Sequence, residues 1–244
     1  MAPGFLAAGQ RKVVPRGRFI TFEGGEGTGK STQARRLSAR LRELGIGVVE
    51  TREPGGSPAA ELIRKIVLSG AAEPLGPSAE AMLFFSARDD HLETVIRPAL
   101  ERGDWVICDR FVDSTRAYQE RAGKVSGELM RALERSVIGD TWPDLTIILD
   151  IDVETGLERA RGQSGGAGDR FEDADLDFHK AIRTAFRAIA RREPNRCVLV
   201  SAHREPDAVA EEIWKKVSDR FDLSEWTGEV AAAGASESGE TDSE

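Results

Sequence analysis

The stretch Phe22–Thr32, FEGGEGTGKST, decides the fold of this 244-residue chain. It contains the pattern G-x-x-x-x-G-K-[ST], follows the apolar run RFITF at 18–22 and precedes residues 31–44, whose apolar side chains recur at helical spacing. A strand, this loop and a helix in that order predict a P-loop, because glycines permit the positive φ angles that turn successive N–H groups toward a phosphate. The alternative is a glycine-rich turn that binds no ligand.

The residues of this loop have separate predicted parts in binding a nucleoside triphosphate. Lys30 can reach the β and γ phosphates, and the Ser31 hydroxyl can ligate Mg²⁺. The N-terminus of the following helix adds N–H donors. We assign the ATP cradle to Gly24, Gly25, Glu26, Gly27, Thr28, Gly29, Lys30, Ser31 and Thr32.

Strand-like and helical segments alternate along the rest of the chain. Four apolar runs follow the first: VVETR at 48–52, WVICD at 105–109, LTIILDI at 145–151 and CVLVS at 197–201. This alternation predicts an α/β, three-layer P-loop fold with a five-stranded parallel sheet and helices on both faces. We expect one domain over 18–222, a disordered extension over 1–17 and an acidic, disordered tail over 223–244.

A glycine-rich segment, GQSGGAG at 162–168, precedes the sequence DRFE at 169–172. It predicts a short lid over about 161–174. A mobile loop that carries an arginine can close over substrates, exclude water and bring positive charge to a γ-phosphate. The alternative is a solvated linker with scattered charge.

The composition excludes some classes of protein. The net charge of −8 argues against sequence-independent binding of nucleic acid. No apolar run approaches the ~20 residues that span a bilayer. Cys108 and Cys197 lie in apolar runs, so we expect buried, reduced thiols. The first 17 residues are neither Ser-rich nor amphipathic, which disfavours a targeting peptide. We infer the cytoplasm.

Charged residues follow the second and third strands at the point where each strand ends. The second strand delivers Arg52 and Glu53, and the third delivers Asp109 and Arg110. In a parallel sheet these ends meet at one edge, where ligands bind. The aspartate can hold Mg²⁺ through water and the arginine can grip a phosphate, which suits a second anion site. The alternative is a structural ion pair.

Phe84 and Arg88 are four residues apart on a predicted helix and therefore share a face. An aromatic ring and a guanidinium can together stack on a base and hydrogen-bond its edge. The alternative is a core phenylalanine beside a solvated arginine. Arg64, on the preceding helix, has no distinguishing feature of its own.

Taken together, these motifs resemble those of a known family. The chain resembles the bacterial thymidylate kinases, which are P-loop nucleoside monophosphate kinases, over roughly 18–221. The resemblance rests on the P-loop stretch and on TREPGG at 51–56, ELIRKIVL at 61–68, AMLFFSAR at 81–88, DRFVDSTRAYQ at 109–119 and PDLTIILD at 143–150.

The resemblance implies an activity and a set of partners. Members of the family transfer the γ-phosphoryl group of Mg·ATP in line to dTMP, which gives dTDP for dTTP synthesis. The implied partners are ATP, dTMP and a second copy of the chain in a homodimer. Neither nucleic acid nor a membrane is implied.

The resemblance also assigns roles by position. Phe84 is similar to the residue that stacks on thymine, and Arg88 to the one that reads its carbonyl edge. Arg64 and Arg110 resemble ligands of the acceptor phosphate, and Glu26 the carboxylate near the 3′-hydroxyl. Glu53 and Asp109 resemble carboxylates near the metal, where they join Ser31. The implied wall around base and deoxyribose consists of Ser114, Thr115, Tyr118 and Gln119, with Tyr118 placed to discourage a 2′-hydroxyl.

One departure concerns the catalytic arginine, which some family members have inside the P-loop and others in the lid. The variable P-loop positions at 25–28 contain none here, so the lid must supply it. Arg170 is the first candidate because DRFE matches the family there, and Arg161 is the second. With Lys30, Asp109 and Arg110, these form the predicted catalytic set.

Two other readings stay open at this point. A UMP/CMP kinase or a deoxynucleoside kinase would use the same cradle, and a nucleoside kinase would need Glu53 or Asp109 as a base. A P-loop protein that holds ATP without phosphoryl transfer is the alternative outside enzymes. The second anion site and the arginine-bearing lid disfavour it.

Overall fold

The computed structural model describes residues 15–122, 125–164, 171 and 174–223. Within them the predicted strands all form, each within one residue of its expected bounds. The strands are β1 Phe19–Glu23, β2 Val48–Arg52, β3 Trp105–Asp109, β4 Leu145–Asp150 and β5 Cys197–Ser201. The helices are α1 Lys30–Glu43, α2 Pro58–Leu68, α3 Pro77–His91, α4 Arg97–Glu101, α5 Val112–Thr115, α6 Gly127–Leu133, α7 Val153–Ser164, α8 Leu176–Arg192 and α9 Pro206–Phe221.

The strands form one parallel sheet in the order β2-β3-β1-β4-β5, which confirms the predicted α/β fold. The central strand β1 is buried along its whole length. Ile20 pairs with Ile107 of β3 on one side and with Leu145 of β4 on the other. A strand with helices against both faces needs apolar residues on both sides, and Phe19, Ile20 and Phe22 provide them. The buried hydroxyl of Thr21 is satisfied by the Thr146 hydroxyl of β4 at 2.8 Å.

Helices cover both faces of the sheet. On one face, Ile20 and Phe22 pack with Leu41 of α1 and Ile213 of α9. The other face packs against α3, α4 and α6 in a second apolar cluster that contains Phe19 of β1. Cys108 and Cys197 are free and buried, as predicted.

The order of the strands opens a crevice at one edge of the sheet. The chain leaves β1 toward α1 on one face, and it leaves neighbouring β3 toward α6 on the other. Ligands of such sheets bind where adjacent connections diverge in this way. Phe22 pairs with Asp109 at that edge, so the P-loop and the Asp109–Arg110 turn begin side by side.

The predicted helix from about 78 to 101 is not regular throughout. A π-helical turn, Leu92–Ile96, separates α3 from α4 just before Pro98. Proline has no N–H to donate, so the regular ladder cannot pass this point unchanged. Two further π-helical turns, Arg116–Ala122 and Glu134–Ile138, extend α5 and α6 among the described residues.

Some predictions fall on residues that are not described. Residues 1–14 and 224–244, which make up most of the expected extension and tail, lie outside the described part, as do 165–170 and 172–173 of the expected lid. The domain boundaries therefore stay predictions. Among the described helices, none has the length and apolar character needed to cross a membrane.

Candidate active site

A cleft of about 480 Å³ opens at the carboxyl edge of the sheet. It is bounded by the P-loop, the end of β2, one face of α3, the segment 109–119 and Phe171. The predicted residues that line it are Glu26, Gly27, Gly29, Lys30, Ser31, Thr32, Glu53, Arg64, Phe84, Arg88, Asp109, Arg110, Ser114, Thr115, Tyr118 and Gln119. Gly24, Gly25 and Thr28 lie behind this wall. Arg161 is exposed at the end of α7 and does not line the cleft, and Arg170 lies outside the described residues.

The P-loop packs directly on α7. Gly27 has a φ of 63°, and a Cβ built there would lie 1.8 Å from the carbonyl oxygen of Gly156. A side chain at this position would therefore displace the backbone of α7. The loop also reaches its shape through positive φ at Gly24 and Gly29, which is why glycine is needed there.

Lys30 is the first residue of α1, and its side chain folds back over the P-loop. Its ammonium group is buried and donates to the carbonyl of Gly25 at 2.8 Å. Burial lowers the pKa of Lys30, and neighbouring Arg110 lowers it further, against the opposing effect of Glu26 and Asp109. The ammonium group of Lys30 and the guanidinium of Arg110 thus lie close together, and this pair of cations suits an anionic ligand.

The hydroxyl of Ser31 donates to a carboxylate oxygen of Asp109. This contact brings the start of α1 together with the end of β3. A hydroxyl and a carboxylate are the hard oxygen donors that Mg²⁺ takes, usually as a minority of its ligands beside water and phosphate. No cluster of three or more His, Cys, Asp or Glu residues suited to a metal occurs in the described part of the chain. The Ser31 hydroxyl beside the Asp109 carboxylate fits a magnesium ion that takes its remaining ligands from water and a nucleotide.

Arg110 joins the P-loop to the other half of the cleft. Its backbone has the left-handed φ of 69°, and its guanidinium donates to the carbonyl of Gly24 at 3.1 Å and to Glu26 at 2.8 Å. Tyr118 also donates to Glu26, at 2.6 Å. Burial acts to raise the pKa of Glu26, but Arg110 and Lys30 outweigh it and lower that pKa to about 2. Glu26 is therefore an anion throughout the neutral range.

Glu23 is a residue of this site that the sequence reasoning missed. It is fully buried at the end of β1, accepts from the N–H of Phe111 at 2.8 Å and accepts from the Ser114 hydroxyl at 2.6 Å. Burial raises its pKa to about 8, and the nearby Asp113 acts in the same direction. A carboxylate directly after a buried strand was the available signal. Glu23 fixes the turn that presents Arg110.

On the other side of the cleft, Arg88 is held by buried polar groups. Its Nε donates to Glu53 at 2.8 Å, and Nη2 donates to Thr115 at 3.0 Å. Its Nη1 is buried and has no hydrogen-bond partner among the described residues. The guanidinium lies over the rings of Phe85 and Phe111, at 4.8 and 5.0 Å from their centroids.

One carboxylate oxygen of Glu53 is occupied by the hydrogen bond from Arg88. Its second oxygen meets Nδ1 of His91 at 3.1 Å, and Nε2 of that histidine meets the Thr51 hydroxyl at 2.7 Å. Both carboxylate oxygens thus have partners away from the Ser31–Asp109 contact. His91 was not foreseen, because nothing in the sequence near it marks a partner 38 residues away.

Aromatic rings form the remaining wall. Phe171 lies edge-on to Tyr118, with centroids 5.6 Å apart, and 6.4 Å from the ring of Phe84. Phe171 was also missed as a site residue, although it stands in the DRFE sequence that marked the lid. The cleft therefore has a charged half at the P-loop and an aromatic half around Phe84.

Comparisons with known proteins agree with this geometry. The thymidylate kinase family model matches residues 22–213. Thymidylate kinase of Bradyrhizobium diazoefficiens is 58% identical over 207 residues, covering 84% of this chain and 91% of that protein. The Nitrobacter winogradskyi enzyme is 57% identical over 206 residues, covering 84% and 90%.

A solved structure gives the same result. The crystal structure of thymidylate kinase from Ehrlichia chaffeensis matches with a TM-score of 0.69 and 34% identity, over 83% of this chain and 100% of that one. The readings as another small-molecule kinase and as a non-catalytic P-loop protein are set aside by these matches. The chain belongs to the thymidylate kinase family and phosphorylates dTMP to dTDP with ATP.

Proposed function

We propose that the γ-phosphoryl group moves in line from Mg·ATP on the P-loop to dTMP in the aromatic half of the cleft. The observation that carries this proposal is the placement of Arg110, whose guanidinium contacts Gly24 and Glu26 of the P-loop while lining the same cleft as Phe84 and Arg88. In-line transfer needs both nucleotides on one axis, and Arg110 stands between their two sites.

The main obstacle to this reaction is charge, not proton transfer. The second pKa of a phosphate monoester is near 6, so the acceptor oxygen is already ionised at neutral pH. Two unit charges at about 4 Å repel by about 4 kcal/mol at an effective dielectric of about 20. Lys30, Arg64 and Arg110 offset this repulsion as substrates arrive. Catalysis is then positioning and charge neutralisation by these residues.

We assign the magnesium ion to Ser31 and Asp109. When bound there with ATP, Mg²⁺ neutralises charge on the β and γ phosphates. Glu53, which also matches the family's carboxylates, acts mainly by holding Arg88, since its oxygens face Arg88 and His91. In the acceptor half, Phe84 stacks on thymine, and Tyr118, held by Glu26, closes the space at the 2′ position.

A test of the magnesium site compares two serines of α1. Ser31→Ala removes a ligand, and we expect the Mg²⁺ concentration for half-maximal activity to rise roughly tenfold. Ser38→Ala is the matched control, because its buried hydroxyl has no hydrogen-bond partner among the described residues. The measurement is initial rate against free Mg²⁺ at saturating ATP and dTMP. An unchanged Mg²⁺ requirement in Ser31→Ala would contradict the assignment.

We propose Arg170 as the arginine that meets the γ-phosphate. Phe171, the next residue in the chain, lines the cleft, whereas Arg161 is exposed and does not. Arg170→Ala is expected to lower kcat by about 10³-fold, as for other arginines that act on the transition state, with little change in the KM for dTMP. Arg161→Ala is the control and is expected to change kcat less than threefold. If the two results are exchanged, the role belongs to Arg161.

We also propose that two copies of the chain form a homodimer through α2 and α3. These helices pack together and expose Leu62, Ile66 and Met82, at 63%, 44% and 45% of their surface. Apolar side chains of this size on adjacent helices mark a surface that another protein covers. In a dimer with a two-fold axis, the patch on one copy would pack against the same patch on the other copy.

The dimer has a direct test. Ile66→Glu would place two like charges in a two-fold interface, and we expect the dimer dissociation constant to rise about 100-fold or more. Leu199→Glu, at a side chain 41% exposed on β5, is the matched control. Sedimentation equilibrium reports both. A wild-type monomer at micromolar concentration, or an Ile66→Glu protein that stays dimeric, would refute this interface.

We infer the cytoplasm as the compartment from the state of the two cysteines. Cys108 and Cys197 are buried free thiols, and burial raises the pKa of both. Thiols in that state favour the cytoplasm as the compartment.

A further inference from the structure

A buried pair in the acceptor half of the cleft is not explained by phosphate chemistry. Gln119 is 3% exposed and lines the cleft, and its Nε2 donates to Oε1 of Glu80 on α3 at 3.0 Å. Glu80 is itself 8% exposed. The main chain at Gln119 is also fixed, since its carbonyl accepts from the N–H of Val125 at 2.9 Å. Both the backbone and the amide of Gln119 are thus held from behind the cleft.

The chemistry of the pair sets the direction of the amide. A carboxylate only accepts hydrogen bonds, so it takes the NH₂ side of the glutamine. The amide's oxygen is then the atom left for a ligand. Without Glu80, the two ends of the amide have similar size, and a half-turn would present the NH₂ group instead.

Arg88 supplies the complementary group. Arg88 lines the same cleft, and its Nη1 is a buried donor without a partner in the described part of the chain. A donor beside an acceptor matches the thymine edge, where the O4 acceptor adjoins the N3–H donor. Cytosine presents the reverse, an NH₂ donor beside an N3 acceptor, and would leave two buried groups unsatisfied.

We propose that Glu80 is a positioning residue for base selection: it holds the Gln119 amide with its oxygen toward the base and so favours thymine over cytosine. This inference rests on the proposed placement of the base beside Phe84 and Arg88. Glu80 itself has no need to touch the nucleotide. Its effect is transmitted through the orientation of one amide.

The first test is Glu80→Gln, which keeps the size of the side chain but can both donate and accept. The constraint on Gln119 is then lost, and we expect the ratio of kcat/KM for dTMP to that for dCMP to fall about tenfold, mainly through a lower KM for dCMP. Glu134→Gln is the matched control, since this carboxylate is also buried but bonds to Arg116 outside the cleft. Its ratio should stay within twofold of wild type.

A second variant separates positioning from a general structural effect. Gln119→Leu should itself lower the dTMP to dCMP ratio, and Glu80→Gln in that background should change the ratio less than twofold. Equal effects of Glu80→Gln in both backgrounds would overturn the proposal. So would a Gln119→Leu protein with the wild-type ratio, a result that holds even if Glu80→Gln fails to fold. Calorimetry without ATP gives the dissociation constants of dTMP and dCMP, and their ratio tests base selection independently of turnover.

Phe84→Leu distinguishes failure of this inference from failure of the base placement. It should raise KM for dTMP and dCMP alike, because both lose stacking. If Phe84→Leu changes neither KM, the base lies elsewhere and the proposed acceptor site is wrong. If Phe84→Leu acts as expected and Glu80→Gln leaves the ratio unchanged, only the role of Glu80 is wrong.

Discussion

The buried carboxyl group of Glu23 makes the hydrogen bonds on which the active site depends. It stands at the end of β1, where the P-loop begins, and it receives hydrogen bonds from the backbone of Phe111 and the hydroxyl of Ser114. A carboxyl group buried this fully is tolerated because those donors satisfy its oxygens and because burial raises its pKa to about 8, which favours its neutral form at pH 7. Leaving it unpaired would cost about 1–3 kcal/mol or more. The bonds cross from β1 to the segment after β3. They hold Arg110 in its left-handed conformation beside the cradle.

The cationic side chains of the cleft are already in place, paired with carboxylates, before the two nucleotides bind. Without nucleotides, the buried cations need partners of opposite charge, and Glu26 serves Arg110 while Glu53 serves Arg88. Because the pKa of Glu26 is lowered to about 2, Glu26 stays ionised at neutral pH and continues to pair with Arg110. Phosphates can therefore add to or share these contacts without a change in protonation. The site is preorganised, and little reorganisation is needed at the moment of transfer.

The sequence predicted those parts of the site whose chemistry lies in one contiguous motif or at a strand end. The P-loop, Asp109 with Arg110, and the Phe84–Arg88 face are of this kind, because strand order and helical spacing alone bring them to the cleft. Partners distant in the chain were missed. Glu23 meets Phe111 across 88 residues and Glu80 meets Gln119 across 39. Glu53 shows the same limit, since its place at a strand end suits a metal ligand equally well as a partner for Arg88.

The contact between the P-loop and α7 excludes a side chain at one of the variable positions of the loop. Gly27 and Gly156 approach so closely that a Cβ on Gly27 would meet the Gly156 carbonyl and one on Gly156 would lie 2.6 Å from the carbonyl of Glu26. No side chain fits at Gly27, so this loop cannot carry an arginine there. The same α7 extends to Ser164 and so includes the first three residues of the glycine-rich segment. A close backbone contact thus joins the phosphate cradle to the helix from which the proposed lid continues, so a movement of α7 would shift the cradle.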